Sequence, residues 1–160
     1  MNNGSFRLLT LLTLTLCFAL SPLQSNAQTL YDGISGQEMQ RIMQTMGYTT
    51  ELTKDATGDP LINSTDGALS FQVFFYKCSN NVCDAVQFYS GFSQEKNPSQ
   101  SDINSWNTHK RFGRAYLDNE GNSRVEMDAL ATGGVSEQYI RNLLGTWKTV
   151  LEEYAKHINW

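Results

Sequence analysis

Hydrophobic and polar positions follow two periods along the chain, one typical of helices and one typical of strands. Between Ser35 and Gly47, methionine and isoleucine recur in the order i, i+3, i+4, i+7, which is one helix face. Ser35 is suited to cap the start of this helix, with Glu38 completing a capping box, and Gly47 is suited to end it. We predict a helix over 35–47 whose methionine-rich stripe packs in the core rather than forming an adaptable binding face.

A longer helical stripe occupies the C-terminal part of the chain. Ser136 is its expected N-cap, and Val135 is placed to pack onto Ile140. The stripe comprises Ile140, Leu143, Leu144, Trp147, Leu151, Tyr154 and Ile158. Gly145 lies inside this helix at a cost of about 1 kcal/mol relative to alanine, which indicates a close backbone approach.

Residues 69–78 and 83–90 have the pattern of a β-hairpin around a short loop. If Cys78 faces Cys83, then Lys77 faces Asp84. The same register collects five apolar side chains on one face, namely Phe71, Val73, Phe75, Val86 and Phe88. It places the cysteines on the other face with Phe74, Tyr76, Gln87 and Tyr89. A slip of one residue would scatter the apolar set, so the pattern and the cysteines predict one pairing.

Shorter strand patterns precede this hairpin. Residues 48–54 predict a strand that ends in a turn at 55–60, after which Leu61 and Ile62 begin a further short strand. Asn63-Ser64-Thr65 matches a glycosylation acceptor, and in a bacterium it is expected to be a polar turn.

A short helix and a second hairpin follow. Ser101 or Asp102 is the expected cap of the helix, which carries Trp106 on its inner side. Strands over 111–117 and 123–130 flank a turn that ends in glycine. The predicted element order is α-β-β-β-α-β-β-α.

The first residues have the pattern of a cleavable signal peptide. Arg7 precedes an apolar run from Leu8 to Leu20, and the small side chains of 25–27 predict cleavage before Gln28. The run of about 13 residues is shorter than the roughly 20 that span a membrane. We expect residues 1–27 to be removed and the protein to be periplasmic or secreted.

Length and charge restrict the mature chain further. Residues 28–160 have the length of a single domain, and no stretch after residue 30 is apolar enough to span a membrane. The alternatives to cleavage are a retained anchor and a lipoprotein at Cys17, which the bulky Leu16 disfavours. With 16 acidic and 12 basic residues and no basic cluster longer than Lys110-Arg111, nucleic acid is not an expected partner.

Two cysteines, Cys78 and Cys83, remain after cleavage, and an exported protein meets an oxidising compartment. A structural disulfide is the leading interpretation. A redox pair would normally have the spacing Cys-x-x-Cys, whereas four residues intervene here. A metal site would need more donors, and His109 and His157 lack ligand spacing. We predict no metal and no cofactor.

Catalytic sequence motifs are missing from the chain. It contains no Gly-x-Ser-x-Gly elbow, no phosphate-binding loop and no His-Glu-x-x-His motif. An enzyme is therefore not expected, and no catalytic residue is predicted.

The segment 104–118 concentrates tryptophan, asparagine and arginine, side chains that anchor partners in many interfaces. The candidate binding residues are Trp106, Asn107, Arg111, Arg114 and Asp118. The alternative interpretation is structural: Trp106 is buried, and Asn107 and the arginines form hydrogen bonds with the loop and with Asp118 or Asp128.

These residues resemble the YbjN family of bacterial proteins, which are described as sensory transduction regulators. The shared motifs are Cys78 and Cys83, Ile103-Asn104-Ser105-Trp106-Asn107, Arg111-Phe112-Gly113-Arg114-Ala115-Tyr116-Leu117-Asp118, Glu126-Met127-Asp128, Gly133-Gly134-Val135-Ser136 and the last helix. The resemblance implies an α+β fold like that of type III secretion chaperones, with an antiparallel sheet flanked by helices. Such chaperones commonly pair and bind unfolded segments of partners. Many members are cytoplasmic, a pattern from which the signal peptide departs.

Two functional hypotheses follow, with a third behind them. The first is a non-enzymatic module of the cell envelope that binds a protein or peptide, with homodimerisation implied by the resemblance. The second is a small-molecule or signal-sensing domain with a pocket near Trp106 and Arg114. Thiol-disulfide chemistry is the third, and it predicts an exposed bond between Cys78 and Cys83.

Overall fold

The computed structural model describes residue 1, residues 30–93 and residues 98–160. Residues 2–29 lie outside this description, and with them the predicted signal peptide and its cleavage site. The helices are α1 (Gly36–Thr45), α2 (Gln100–His109) and α3 (Glu137–His157). The strands are β1 (Leu30–Tyr31), β2 (Thr49–Lys54), β3 (Pro60–Asp66), β4 (Leu69–Ser79), β5 (Val82–Phe92), β6 (Arg114–Leu117), β7 (Ser123–Leu130) and β8 (Val135–Ser136).

The predicted α+β class with an antiparallel sheet is confirmed. Six strands form one sheet in the order β2-β3-β4-β5-β7-β6, and β1 pairs separately with β8. The observed order matches the predicted one apart from β1, β8 and β3, which the sequence indicated only as a short segment beginning at Leu61 and Ile62. These additions are short or polar segments, whose pairing depends on distant neighbours more than on their own pattern.

The core lies between the helices and one face of the sheet. The Trp147 ring of α3 stacks on Phe88 with 5.8 Å between centroids and meets Phe71 edge-on at 6.0 Å. Ile42 of α1 and Trp106 of α2 are buried in the same cluster. Alternate strand residues are exposed or half-buried, and no described helix covers that second face, which we call the open face.

The predicted helix starts at Ser35 and Ser136 are confirmed. Ser35 Oγ accepts a hydrogen bond from the Glu38 N–H at 3.1 Å, and Ser136 Oγ accepts one from Tyr139 at 3.1 Å. Gly47 follows the C-cap of α1 with φ of 91°. The cap of α2 differs from the prediction: Ser99 forms a reciprocal capping box with Asp102.

The register predicted for the central hairpin is confirmed. Cys78 pairs with Cys83, Phe75 with Val86 and Val73 with Phe88 in the ladder between β4 and β5. The cysteine sulfurs lie at disulfide bonding distance, with 4.0 Å between the two Cα atoms. A short loop and a strictly alternating pattern specify this pairing locally.

The position predicted for the bridge is wrong in one respect. Cys83 is fully buried in the core cluster, rather than lying on the open face beside Tyr76. Ile34 exchanges two backbone hydrogen bonds of 3.0 Å with Cys83 and covers this end of β5. Lys77 has φ of 55°, and the ladder omits its expected pairing with Asp84. The alternation of side chains between the two faces of the sheet is interrupted at Lys77. The rule that every second residue lies on the same face therefore does not hold there.

Three further expectations are corrected by the structure. Asn63-Ser64-Thr65 is not a turn but the middle of β3, where Ser64 is buried and its Oγ donates to Thr49 O at 2.9 Å. The strand expected over 111–117 begins only at Arg114, because Phe112 has φ of 69°. Gly145 does not mark a close approach, since a Cβ there would meet no atom within 4 Å.

Candidate functional site

Trp106 holds the segment after α2 from inside the core. Its side chain is buried, and its Nε1–H donates to Gly113 O at 2.9 Å. Its ring meets Tyr154 of α3 edge-on, with 4.9 Å between centroids. Burial and hydrogen bonding fix the orientation of the indole.

Asn107, the next residue of the helix, fixes the start of β6. Its Nδ2 donates to Ala115 O at 3.0 Å, and its Oδ1 accepts from Ala115 N–H at 2.9 Å. The side-chain amide therefore satisfies both the backbone N–H and the backbone C=O of Ala115 at the edge of the sheet. This agrees with the structural interpretation of Asn107.

Arg114 and Asp118 lie on the open face and at its edge, engaged with other side chains. Arg114 Nε donates to Glu126 Oε1 at 2.5 Å, and this hydrogen bond raises the pKa of Arg114. The Glu126 side chain is buried, and the pairing with Arg114 compensates for its lost hydration. Asp118 accepts from Arg124 Nη2 at 2.6 Å and from the N–H of Asn122 at 2.9 Å.

A cleft opens between the end of α2, the following loop and α3. It has a volume of about 320 Å³. Trp106, Phe112 and Val150 supply its apolar lining, while Arg111 lies at its charged side. We call this site the Phe112 cleft.

Among the charged residues that line the Phe112 cleft, one cation has no ion-pair partner in the described part of the chain. Lys110 Nζ pairs with Glu153 Oε2 at 2.8 Å and lies 5.8 Å from the centre of the Trp106 ring. Arg111 is exposed and forms no ion pair with any described residue. The cleft therefore offers an apolar floor beside a positive charge.

The structure thus divides the predicted site residues into two groups. Trp106 and Arg111 border the Phe112 cleft, whereas Asn107, Arg114 and Asp118 do not line it. The sequence led us to expect one pocket bordered by both Trp106 and Arg114. The cleft that Trp106 lines does not include Arg114.

Sequence reasoning missed Phe112 and Val150. Phe112 is 73% exposed. Nothing in the sequence indicated this exposure, because an apolar side chain in a predicted strand is expected to be buried. Gly113 was the available signal: a Cβ there would lie 2.4 Å from Val150 Cγ1, so the loop touches α3 at this glycine.

Among the described residues, no cluster of three or more histidine, cysteine, aspartate or glutamate side chains is arranged to hold a metal ion. In the same part of the chain, no helix combines the length and apolarity that a membrane crossing requires.

Comparison with protein families gives one result of broad coverage. The YbjN family model, described as "Putative bacterial sensory transduction regulator", matches residues 35–160. Comparison with curated proteins and with solved structures finds no match.

Proposed function

Since the chain belongs to the YbjN family, we propose that it is a non-enzymatic regulatory module that binds a protein or peptide in the cell envelope. The family description as a sensory transduction regulator supports the regulatory part. The Phe112 cleft supports the binding part, and the predicted signal peptide supports the location.

The exposed ring of Phe112 is the observation that carries this proposal. With φ of 69°, Phe112 adopts a left-handed conformation that costs free energy for a bulky residue. The adjacent Gly113 is buried, and its carbonyl oxygen is bound by Trp106. The packed neighbours therefore hold the backbone in this conformation while the aromatic ring faces solvent. A strained, exposed aromatic side chain on a fixed loop is typical of a contact site.

The cleft beside Phe112 indicates which partner chemistry fits. The exposed apolar surface of the cleft comes from the Phe112 ring, and the buried Trp106 and Val150 form the floor beside it. Arg111 is free to pair with a carboxylate next to that anchor. We propose a partner segment with an apolar side chain flanked by an acidic residue.

The small-molecule alternative has less support from the geometry. It relied on a pocket formed jointly by Trp106 and Arg114, and Arg114 is paired with Glu126 outside the Phe112 cleft. An open cleft with an exposed aromatic rim suits a peptide better than an enclosed ligand.

Photo-crosslinking from position 112 in native cells tests the proposal, with position 130 as the matched control. Leu130 is also a large apolar residue exposed at 67%, but it lies at the end of β7. We expect a protein crosslinked from position 112 and not from position 130. Equal capture from both positions, or a small metabolite without any protein, would contradict the proposal.

Two substitutions separate binding from folding. With the photo-crosslinker moved to Thr149, which is exposed and lines the same cleft, Phe112→Gly removes the ring and relieves the left-handed strain, so we expect loss of the crosslinked partner with stability raised by about 1 kcal/mol. Arg111→Glu should weaken capture by reversing the free charge, whereas Lys54→Glu, an exposed charge reversal at the end of β2, should not. Retained capture by both cleft variants would overturn the assignment of the site.

The location is tested separately. Cell fractionation should find the protein in the periplasm or medium, with an intact mass that begins at Gln28. An unprocessed chain in the cytoplasm would overturn the export part and leave the cleft unaffected.

A further inference from the structure

A second concave site lies on the open face of the sheet, away from the Phe112 cleft. It is a groove of about 450 Å³ that crosses four strands, β2 to β5. At a strand spacing of about 4.8 Å, its floor is about 14 Å long. The described helices pack on the other face, and the two sites share no lining residue, so binding in this groove does not depend on the proposed peptide site.

The strand register explains the groove, because two rows of aligned side chains form its walls. One row contains Glu51, Asn63, Gln72 and Tyr89. The other contains the smaller Thr49, Thr65 and Ser70, with Gly91 at the far end. The small side chains of this second row leave the space above them open, and the Arg124 side chain lies over Gly91 and closes the far end.

Most of the lining residues have polar, uncharged side chains, although their carbon atoms supply most of the exposed surface. Among its described lining residues, Glu51 alone carries a charge, and the others offer mainly hydroxyl and amide groups. No lysine or arginine is among those residues, and the cation at the far end, Arg124 over Gly91, is already paired with Asp118, which disfavours an anion as the ligand.

The amide side chains of the first row are held in place by hydrogen bonds, and part of their hydrogen-bonding capacity is left unused by the described residues. Gln72 Nε2 donates to Asn63 Oδ1 at 2.9 Å, and Asn63 Nδ2 reaches Glu51 Oε2 at 3.5 Å. Among the described residues, Gln72 Oε1 and the Tyr89 hydroxyl have no hydrogen-bond partner. The groove thus presents both an acceptor and a donor to a ligand.

Tyr89 also supplies an aromatic surface. Its ring is half-buried and meets Phe74 edge-on with 5.8 Å between centroids, which limits its motion. Burial raises the pKa of Tyr89, so the phenol remains a proton donor at neutral pH.

From these features we propose that the groove binds a neutral, polyhydroxylated ligand, a short oligosaccharide. Sugar hydroxyls both donate and accept hydrogen bonds, which matches amide and hydroxyl walls. The C–H face of a sugar ring packs on a fixed tyrosine ring. An extended peptide would instead add to a strand edge, whereas this groove runs across the strands.

Amide NMR shifts of the isotope-labelled protein test this with chitotriose and maltotriose as probes, and with trialanine and inorganic phosphate as comparisons. We expect at least one trisaccharide to shift signals of the groove residues, and the comparisons to leave them unchanged. Binding of trialanine or phosphate without either sugar would overturn the proposal, and so would no binding by any probe.

Three variants locate the binding. Tyr89→Ala should weaken the sugar affinity about five- to tenfold, and Ser70→Trp, which fills the groove from an exposed position, should abolish it. Tyr76→Ala is the matched control, an exposed tyrosine on the same face outside the groove. Sugar shifts that persist in Ser70→Trp, with the fold intact by circular dichroism, would place the binding elsewhere.

Discussion

The side-chain amide of Asn107 forms two hydrogen bonds with the backbone of Ala115, one donated and one accepted. It takes the place of a neighbouring strand at the edge formed by β6. A side chain that satisfies both groups fixes the distance between α2 and the sheet, and it restricts pairing at this edge.

Asn107→Asp should destabilise the fold by about 1–2 kcal/mol, because the carboxylate loses the donor and faces the Ala115 carbonyl oxygen. Urea unfolding measures the change. Asn104→Asp is the matched control on the same helix, where no described residue hydrogen-bonds the side chain, and its effect should stay within about 0.5 kcal/mol. Equal effects of the two variants would contradict the role of the Asn107 amide.

Gly113→Ala should destabilise the protein by about 1–3 kcal/mol, because the new Cβ would lie 2.4 Å from Val150 Cγ1. A double-mutant cycle with Val150→Ala measures the contact directly. The second substitution makes room, so the double variant should be more stable than the sum of the two single changes. Strict additivity would show that the loop does not rest on Val150.

Gly145→Ala should stabilise the protein by about 0.5–1 kcal/mol. The position lies inside α3, and a Cβ would meet nothing within 4 Å, so alanine adds helix propensity without a clash. Thermal unfolding measures the shift. A loss of stability would instead support the sequence-based interpretation that another part of the backbone lies close to Gly145.

The interaction of Glu137 with Arg41 and Arg141 should make stability depend on pH in the acid range. Arg41 and Arg141 donate to its carboxylate at 2.6 Å each, and these hydrogen bonds lower the pKa of Glu137 below its ordinary value of 4.5. A pKa depressed by folding contributes stability above the unfolded value, and this contribution is lost as the pH falls through the folded pKa.

Glu137→Gln should therefore lower stability at neutral pH, and its difference from the wild type should shrink below pH 4.5. Urea unfolding of both proteins across the acid range measures this. A difference that stays constant with pH would show that the carboxylate does not titrate with folding.

The sequence predicted well wherever neighbours along the chain specify the structure. The helix starts at Ser35 and Ser136 depend on hydroxyls that bind N–H groups three residues later. The register of Cys78 against Cys83 follows from strict alternation around a short loop. The YbjN resemblance, read from ordered motifs, is confirmed by the family match.

The candidate site was predicted only in part. Trp106 and Arg111 border the Phe112 cleft, but Arg114 pairs with Glu126 on another strand. A list of residue types in one segment does not show which faces of two elements they will occupy. The faces depend on the bend at Phe112, whose left-handed backbone interrupts the extended chain before β6.

By itself, the sequence determined the helices, the hairpin register and the alternation that separates a buried from an open sheet face. Only the tertiary structure decided that Ile34 covers Cys83, that Gly113 meets Val150 and that Phe112 is held facing solvent. The physical reason is the range of the interactions: caps and alternation act between near neighbours, whereas these contacts join segments that meet only once the helices pack on the sheet.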